Sequence, residues 1–224
     1  MTFSFEQRRY TAEEYLRLEN DSTERHEFRD GQIIAMAGGT YEHSLIAANV
    51  VRELGNRLKK GPCRVLESNL RIRMGRSVLY SYPDASVICG PPQFDLLDPG
   101  RMTMKNPHVV IEVLSPTTEA YDRGEKFDRY RQIESLEEYV LVAQDRPSVQ
   151  TFLRQSDGTW LFTSANGLDA STKIHCLDVE LPLAEVYAGI DFQKTMSQPA
   201  GGAAGVPVAD DGAPQPLERD VKAP

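Results

Sequence analysis

The sequence predicts an α/β (α+β) domain built on a mixed central sheet flanked by helices. Three observations carry that prediction. Helical and strand-like periodicities alternate along the chain, in the order helix, hairpin, helix, strands, helix, strands. One short run, His108-Val109-Val110-Ile111-Glu112-Val113, is β-branched and nearly all apolar, as in a central strand covered on both faces. The chain of 224 residues is also long enough to bury a sizeable core without staples. A single folded domain over 1–192 follows.

Each element has its own signal. Thr11 followed by Glu14 is a capping-box pattern and starts a helix ahead of Tyr15, Leu16 and Leu18. The stretch HEFRDGQIIAMA reads as a hairpin, because Asp30-Gly31 supplies the tight turn between two strand-like runs. Gly38-Gly39 breaks the second run. From about Glu42 to Lys60, Ile46, Val50, Leu54 and Leu58 recur every fourth residue, which predicts a helix ended by Gly61-Pro62. CRVLE, LRIRM, VLYSYPDASVI and HVVIEVLS follow as strands. Residues 90–106 carry several prolines and read as a loop. A charged helix is expected from about Glu119 to Ser135. EYVLVA, SVQTFLR and TWLFTS are further strands, and a short piece at Leu183 to Tyr187 closes the domain. From Gln193 to Pro224 the chain is rich in Ala, Gly and Pro with no aromatic. Such a segment buries too little apolar area to offset its ordering entropy, so 193–224 is expected to be a disordered tail.

Composition excludes several classes. The longest apolar runs are four to six residues, far short of the roughly 20 that a membrane-spanning helix needs. The opening MTFSFEQRRY has no apolar stretch behind its basic residues and does not read as a secretory signal. Cys63, Cys89 and Cys176 are far apart and odd in number, with no CxxC. Neither a disulfide framework nor a cysteine-rich zinc site is expected, and a reducing cytoplasm is the simplest compartment. The net charge of -8 argues against a protein that coats nucleic acid non-specifically. It does not come from the tail, where Lys194, Arg219 and Lys222 nearly balance Asp210, Asp211, Glu218 and Asp220. Lys59, Lys60, Arg64, Arg71, Arg73 and Arg76 form a local basic run, whose plain reading is the solvated faces of a helix end and two strands. There is no Walker A loop, GxGxxG fingerprint, GxSxG elbow or HExxH helix.

Hydrolysis of a phosphodiester needs a hard metal ion and an oriented water. Magnesium wants carboxylate oxygens and keeps several waters, so two or three protein ligands suffice. Acids on buried, rigid elements are therefore the candidates. Glu112 lies in the middle of the most apolar strand, where a carboxylate must be paired, hydrogen-bonded or bound to a metal. A structural salt bridge explains it equally well. Asp84, in Tyr82-Pro83-Asp84, is by itself a plain turn aspartate. The two together are stronger: if their strands are neighbours, both carboxylates reach one point near the sheet end. Asp122, Lys126 and Tyr130 share a helical face just beyond Glu112, so Lys126 could point back at the two acids. The plain reading of that trio is an exposed Asp–Lys pair.

Taken together, His26-Glu27-Phe28-Arg29-Asp30-Gly31, Tyr82-Pro83-Asp84, Ile111 to Pro116 and Asp122…Lys126…Tyr130 resemble the Uma2 family. This is a bacterial group of candidate endonucleases within the PD-(D/E)XK restriction-endonuclease-like superfamily. The resemblance runs from about Thr11 to Ile190 and includes a histidine ahead of a long helix, here His43. It implies a restriction-endonuclease-like fold with the site at one end of the sheet. It implies DNA as substrate and Mg²⁺ as cofactor, with Mn²⁺ as a substitute. Asp84 and Glu112 would be metal ligands. Glu27 would complete the metal shell or bind a second ion, although from the residues alone it is a surface acid of the hairpin. The superfamily pattern places a lysine two positions after the acid, where this chain has Leu114. Lys126 is the expected replacement, with Arg123 and Gln132 as weaker ones. His43 is expected to pack or cap before it acts.

Three classes of function stay open on the sequence. The leading one is a metal-dependent endonuclease, for which a homodimer would suit cutting of both strands. The second is a catalytically inactive module of the same fold that binds nucleic acid or a protein partner, favoured by Leu114 and the acidity. The third uses the paired carboxylates on a glycoside, and one tryptophan, Trp160, is little support for a sugar cleft.

Overall fold

The structure, a computed structural model, describes residues 8–36, 38–75, 79–100 and 102–195. Arg76 of the basic run and residues 196–224 of the predicted tail lie outside the described residues. The chain opens with helix α1 (Ala12–Asp21), strands β1 (His26–Arg29) and β2 (Gln32–Ala35), and helix α2 (Tyr41–Leu58). Strands β3 (Cys63–Glu67), β4 (Arg71–Met74), β5 (Leu79–Ser81), β6 (Ala85–Cys89), β7 (Thr103–Met104) and β8 (Val109–Leu114) follow. Helix α3 comprises Glu119–Tyr121, a π-helical stretch Asp122–Lys126 and Phe127–Tyr130. Strands β9 (Glu138–Ala143), β10 (Ser148–Arg154), β11 (Trp160–Asn166), β12 (Ser171–Ile174) and β13 (Val179–Pro182) come next, then α4 (Leu183–Val186) and α5 (Phe192–Thr195).

These strands make two main sheets. Six of them run in the order β11-β10-β9-β8-β6-β3, with β8 and β9 parallel and the other pairs antiparallel. This is the expected mixed sheet. Five others run in the order β2-β1-β5-β4-β7, and β12 pairs with β13. The split passes through VLYSYPDASVI, which the sequence presents as one strand. Pro83 has no N–H to give to a ladder. The chain therefore leaves the five-stranded sheet after β5, crosses, and joins the six-stranded sheet at β6. Asp84 lies on that crossing.

Several local predictions are met in detail. Thr11 Oγ1 accepts from the Glu14 N–H and Glu14 Oε2 accepts from the Thr11 N–H, which closes the capping box. Asp30 and Gly31 both have positive φ, 50° and 84°, as a two-residue hairpin turn of this kind requires.

Strand β8 is buried along its whole length, and its alternate residues feed two different cores. Val109, Ile111 and Val113 face α2, where they pack with Ile46, Val50 and Leu54. Val110 and Leu114 face the other way and pack with Ile72, Leu79, Tyr130, Tyr139 and Leu141. Coverage on both sides is why the strand reads as a continuous apolar run. Burying each of these aliphatic side chains stabilises the fold by about 1.5–3 kcal/mol. Glu112 is the exception in this strand, on the same face as Val110 and Leu114.

The structure corrects four expectations. Cys63 and Cys89 are register partners on β3 and β6, with Cα atoms 4.0 Å apart, and are joined by a disulfide. Their 26-residue separation hides a cross-strand contact that only the pairing of β3 with β6 creates. The cysteine argument for a reducing compartment falls with it. The charged helix ends at Tyr130 rather than near Ser135, whose hydroxyl instead donates to the Pro107 carbonyl. The basic run is not one surface, since Arg71 is 1% exposed and Arg73 pairs with buried Asp95. Finally, the tail does not begin at 193, because Phe192–Thr195 is helical. Among the described residues, no helix is long and apolar enough to cross a membrane.

Candidate active site

The site forms where the two sheets and α3 meet. Ala85 on β6 pairs with Ile111 on β8 in antiparallel register, so Asp84, one residue earlier, comes beside Glu112. The Asp84 carboxylate accepts the Val113 N–H at 2.7 Å through Oδ2. That bond extends the β6–β8 ladder with a side chain. Glu27 enters from β1 in the other sheet, where Ser81 on β5 donates its hydroxyl to it.

Lys126 reaches in from α3. Its Nζ lies 2.9 Å from Glu112 Oε1, 3.4 Å from Glu27 Oε1 and 3.4 Å from Asp122 Oδ1. Its side chain is only 7% exposed. The π-helical stretch spans the residues from Asp122 to Lys126 and presents both to the cluster. Such stretches inside α-helices are frequent at functional sites. Tyr139 donates its hydroxyl to the Asp122 carbonyl, and Tyr130 donates its own to Glu112 Oε1 at 3.0 Å.

The electrostatics are those of too many acids for one cation. Burial pushes the Glu112 carboxyl well above its ordinary range, Asp122 and Asp84 push it further, and Lys126 only partly opposes them. Burial also raises Asp122. Burial disfavours the Lys126 ammonium, but Glu112, Tyr130, Glu27 and Asp122 outweigh it and hold the lysine charged to unusually high pH. Tyr130 is raised by burial and by Glu112, so it remains a hydroxyl donor.

Sequence reasoning placed Asp84, Glu112, Lys126 and Glu27 as candidates, and the structure brings Lys126 into contact with both glutamates. The substitutes lie elsewhere: Arg123 binds Glu119 and Gln150, and Gln132 donates to the Asp128 carbonyl. Leu114 is sealed in the core. His43 does more than pack or cap. Thr40 Oγ1 caps its N–H, while its Nε2 lies 3.3 Å from Asp84 Oδ2. Burial disfavours the imidazolium, yet the hydrogen bond and charge of Asp84 raise its pKa overall. Gly39 permits this placement, because a Cβ there would stand 2.8 Å from the His43 ring nitrogen. Ser81 and Tyr121, whose ring lies 6.0 Å from Lys126 Nζ, carry no signal in the sequence.

These groups open onto a groove of about 1790 Å³. Its lining includes Glu27, His43, Asp84, Glu112 and Asp122, and its acids outnumber the arginines Arg25, Arg29 and Arg52. Among the described residues, no group of three or more His, Cys, Asp or Glu side chains is gathered as a cation site. Lys126 ion-pairs with both Glu27 and Glu112.

Residues 12–184 match the family Uma2, described as "Putative restriction endonuclease". The chain belongs to the Uma2 family. Two Synechocystis proteins are similar to this Uma2 chain. "Uncharacterized protein slr1290" is 34% identical over 182 residues, which is 81% of this chain and 93% of that protein. "Uncharacterized protein sll1609" is 33% identical over 169 residues, 75% of this chain and 94% of that one. In fold it is similar to a crystal structure from Anabaena variabilis described as "a putative nuclease belonging to DUF820". The TM-score is 0.62 at 18% identity, covering 78% of this chain and 95% of that one. At that identity the likeness speaks for the fold alone.

Proposed function

We propose that this Uma2 chain is a metal-dependent endonuclease that hydrolyses DNA phosphodiester bonds. The observation that carries the reading is Lys126, a buried cation delivered by the following helix to the acids that surround it. The donor chemistry fits a hard cation. Glu112 meets Lys126 and Tyr130 through Oε1, and Asp84 meets Val113 and His43 through Oδ2. Each thus has a second oxygen outside those contacts. Asp84 and Glu112 would hold Mg²⁺ or Mn²⁺, with Glu27 completing the shell, and solvent can supply the remaining ligands. Such an ion supplies Lewis acidity and a bound water of lowered pKa.

The chain's own groups divide the remaining work. Val113 N–H and His43 fix the Asp84 carboxylate. Tyr130 fixes Glu112, which must give up its raised proton before it can act as a ligand. Lys126 keeps its proton and places a positive charge where negative charge develops on the phosphate, or holds the attacking water. Action on DNA would place the enzyme in the cytoplasm, where the Cys63–Cys89 pair would be unusual. A homodimer would let two such sites cut both strands.

Mn²⁺ titration of wild type, Asp84→Ala and Lys126→Ala tests the reading, with nicking of plasmid and single-stranded DNA followed in parallel. Asp84→Ala is expected to lose metal binding and cleavage together. Lys126→Ala is expected to bind metal and not cut. Cleavage that survives in clean Asp84→Ala protein would end this assignment. The acid-rich groove lining favours a second reading, a catalytically inactive module that binds a nucleic acid or protein partner; binding without turnover in wild type would support it.

A further inference from the structure

The acids of the site come from two sheets, and one buried residue outside the site touches the chain just before both of them. Glu19, at the end of α1, is 7% exposed. Its Oε1 accepts the His26 N–H at 3.0 Å and the Tyr82 hydroxyl at 2.8 Å. Its Oε2 lies 3.0 Å from His26 Nδ1. His26 immediately precedes Glu27. Tyr82 precedes Asp84 by two residues, and the residue between them is Pro83, whose ring fixes φ. A displacement of Tyr82 is therefore passed to Asp84 with little slack. Arg71 braces the same point, donating to the Tyr82 hydroxyl from Nη1 and to Asp98 from Nη2.

We propose that Glu19 is a positioning residue that sets the spacing between Glu27 and Asp84 by clamping His26 and Tyr82 to one carboxylate. The consequence for metal binding rests on the functional reading above; the clamp itself does not. Its effect can be read without metal or DNA, because the Val113 amide is bonded to Asp84 and its hydrogen exchange reports where that carboxylate sits.

The experiment compares wild type, Glu19→Ala and Glu19→Gln by Val113 amide exchange and by titration with Mn²⁺ alone. In Glu19→Ala the Val113 amide is expected to exchange about tenfold faster or more. Mn²⁺ is expected to bind about 10–100-fold more weakly, the usual range for a group that orients a ligand. Glu19→Gln keeps an acceptor for Tyr82 and the His26 N–H and should recover most of both effects. Thr151→Val removes a buried hydroxyl contact with Thr163 between β10 and β11. It should lower the unfolding midpoint and leave both readouts unchanged. Should Glu19→Ala fail to fold, Tyr82→Phe, which removes only a hydroxyl, carries the same test. A folded variant with wild-type Val113 exchange overturns the proposal. So does faster exchange with unchanged Mn²⁺ affinity in a chain that binds the ion. Faster exchange in a chain whose wild type neither binds Mn²⁺ nor nicks DNA leaves the clamp standing and ends the nuclease reading instead.

Discussion

Two buried charge clusters lie close together in this molecule, and they are built on opposite terms. In the first, Arg71 meets Asp98 at 2.9 Å, with Asn20, Thr103 and Tyr82 taking its other donors. Burial works against Asp98, but Thr103, Arg71 and Asn20 outweigh it and hold its carboxyl below the ordinary range. In the second, Lys126 meets Glu112, Glu27 and Asp122, and both Glu112 and Asp122 are held above their range. Both sets are desolvated, so burial alone does not separate them. What separates them is balance. The Arg71 cluster satisfies its acid, while in the Lys126 cluster one cation faces three acids, two of them held above their range.

The largest expected effect breaks the balanced cluster. Arg71→Met strands Asp98 and should cost about 3–5 kcal/mol of stability, the usual loss when one partner of a buried pair is removed. Urea unfolding near neutral pH measures it. Lys126→Met should cost less, about 1–3 kcal/mol, because Glu112 and Asp122 can take up protons in place of the lost charge. That loss should shrink as pH falls. A cost equal to that of Arg71→Met at every pH would erase the distinction between the clusters.

Glu112→Gln sharpens the comparison further. The folded-state pKa of Glu112 is raised above its unfolded value, so the folded chain binds that proton more tightly. Its contribution to stability is greatest with the proton on and declines as pH rises from about 4.3 through the raised value. The variant should therefore lose less stability than wild type as pH rises. Unfolding midpoints across pH 5–9, a range chosen around the roughly neutral optimum of most proteins, decide it. On the proposed metal-binding reading the same proton links to metal: Mn²⁺ uptake should release protons and tighten with rising pH. Calorimetry in two buffers of different ionisation heat reads that release. The smallest effect belongs to neither cluster. Arg131 and Asp128 form an exposed i,i+3 pair, and Arg131→Ala should cost about 0.3–0.5 kcal/mol.

Much of this arrangement was legible in the sequence where a local rule governs it. The capping box at Thr11, the Asp30-Gly31 turn and the four-residue rhythm of α2 are local, and the structure has them. Glu112 stood out because a charge in an all-apolar strand demands a reason, and Lys126 because helical spacing aims it back at that strand. What was not legible depends on which strands pair. The division of residues 79–88 between two sheets, the Cys63–Cys89 contact and the seating of Arg71 in a core all follow from long-range pairing. His43 on Asp84 is of the same kind, since α2 and the β6 crossing meet only in the finished fold. Arg71 was misread as a surface cation because its counter-charge, Asp98, lies in a proline-rich loop with no pattern of its own.

The π-helical stretch in α3 has one more consequence. It holds one residue more than an ordinary helix needs to cover the same axial distance. The aim of Lys126 is thus a matter of chain length as well as of residue type. Removing a single residue such as Gly124 would let α3 wind as a regular helix over the same axial distance, with its flanking turns kept in place. Asp122 and Tyr130 would still share a face, and the change would fall on Lys126, brought from four residues after Asp122 to three. A site assembled this way can be retuned by a one-codon deletion or insertion that leaves every named acid and the lysine in the sequence.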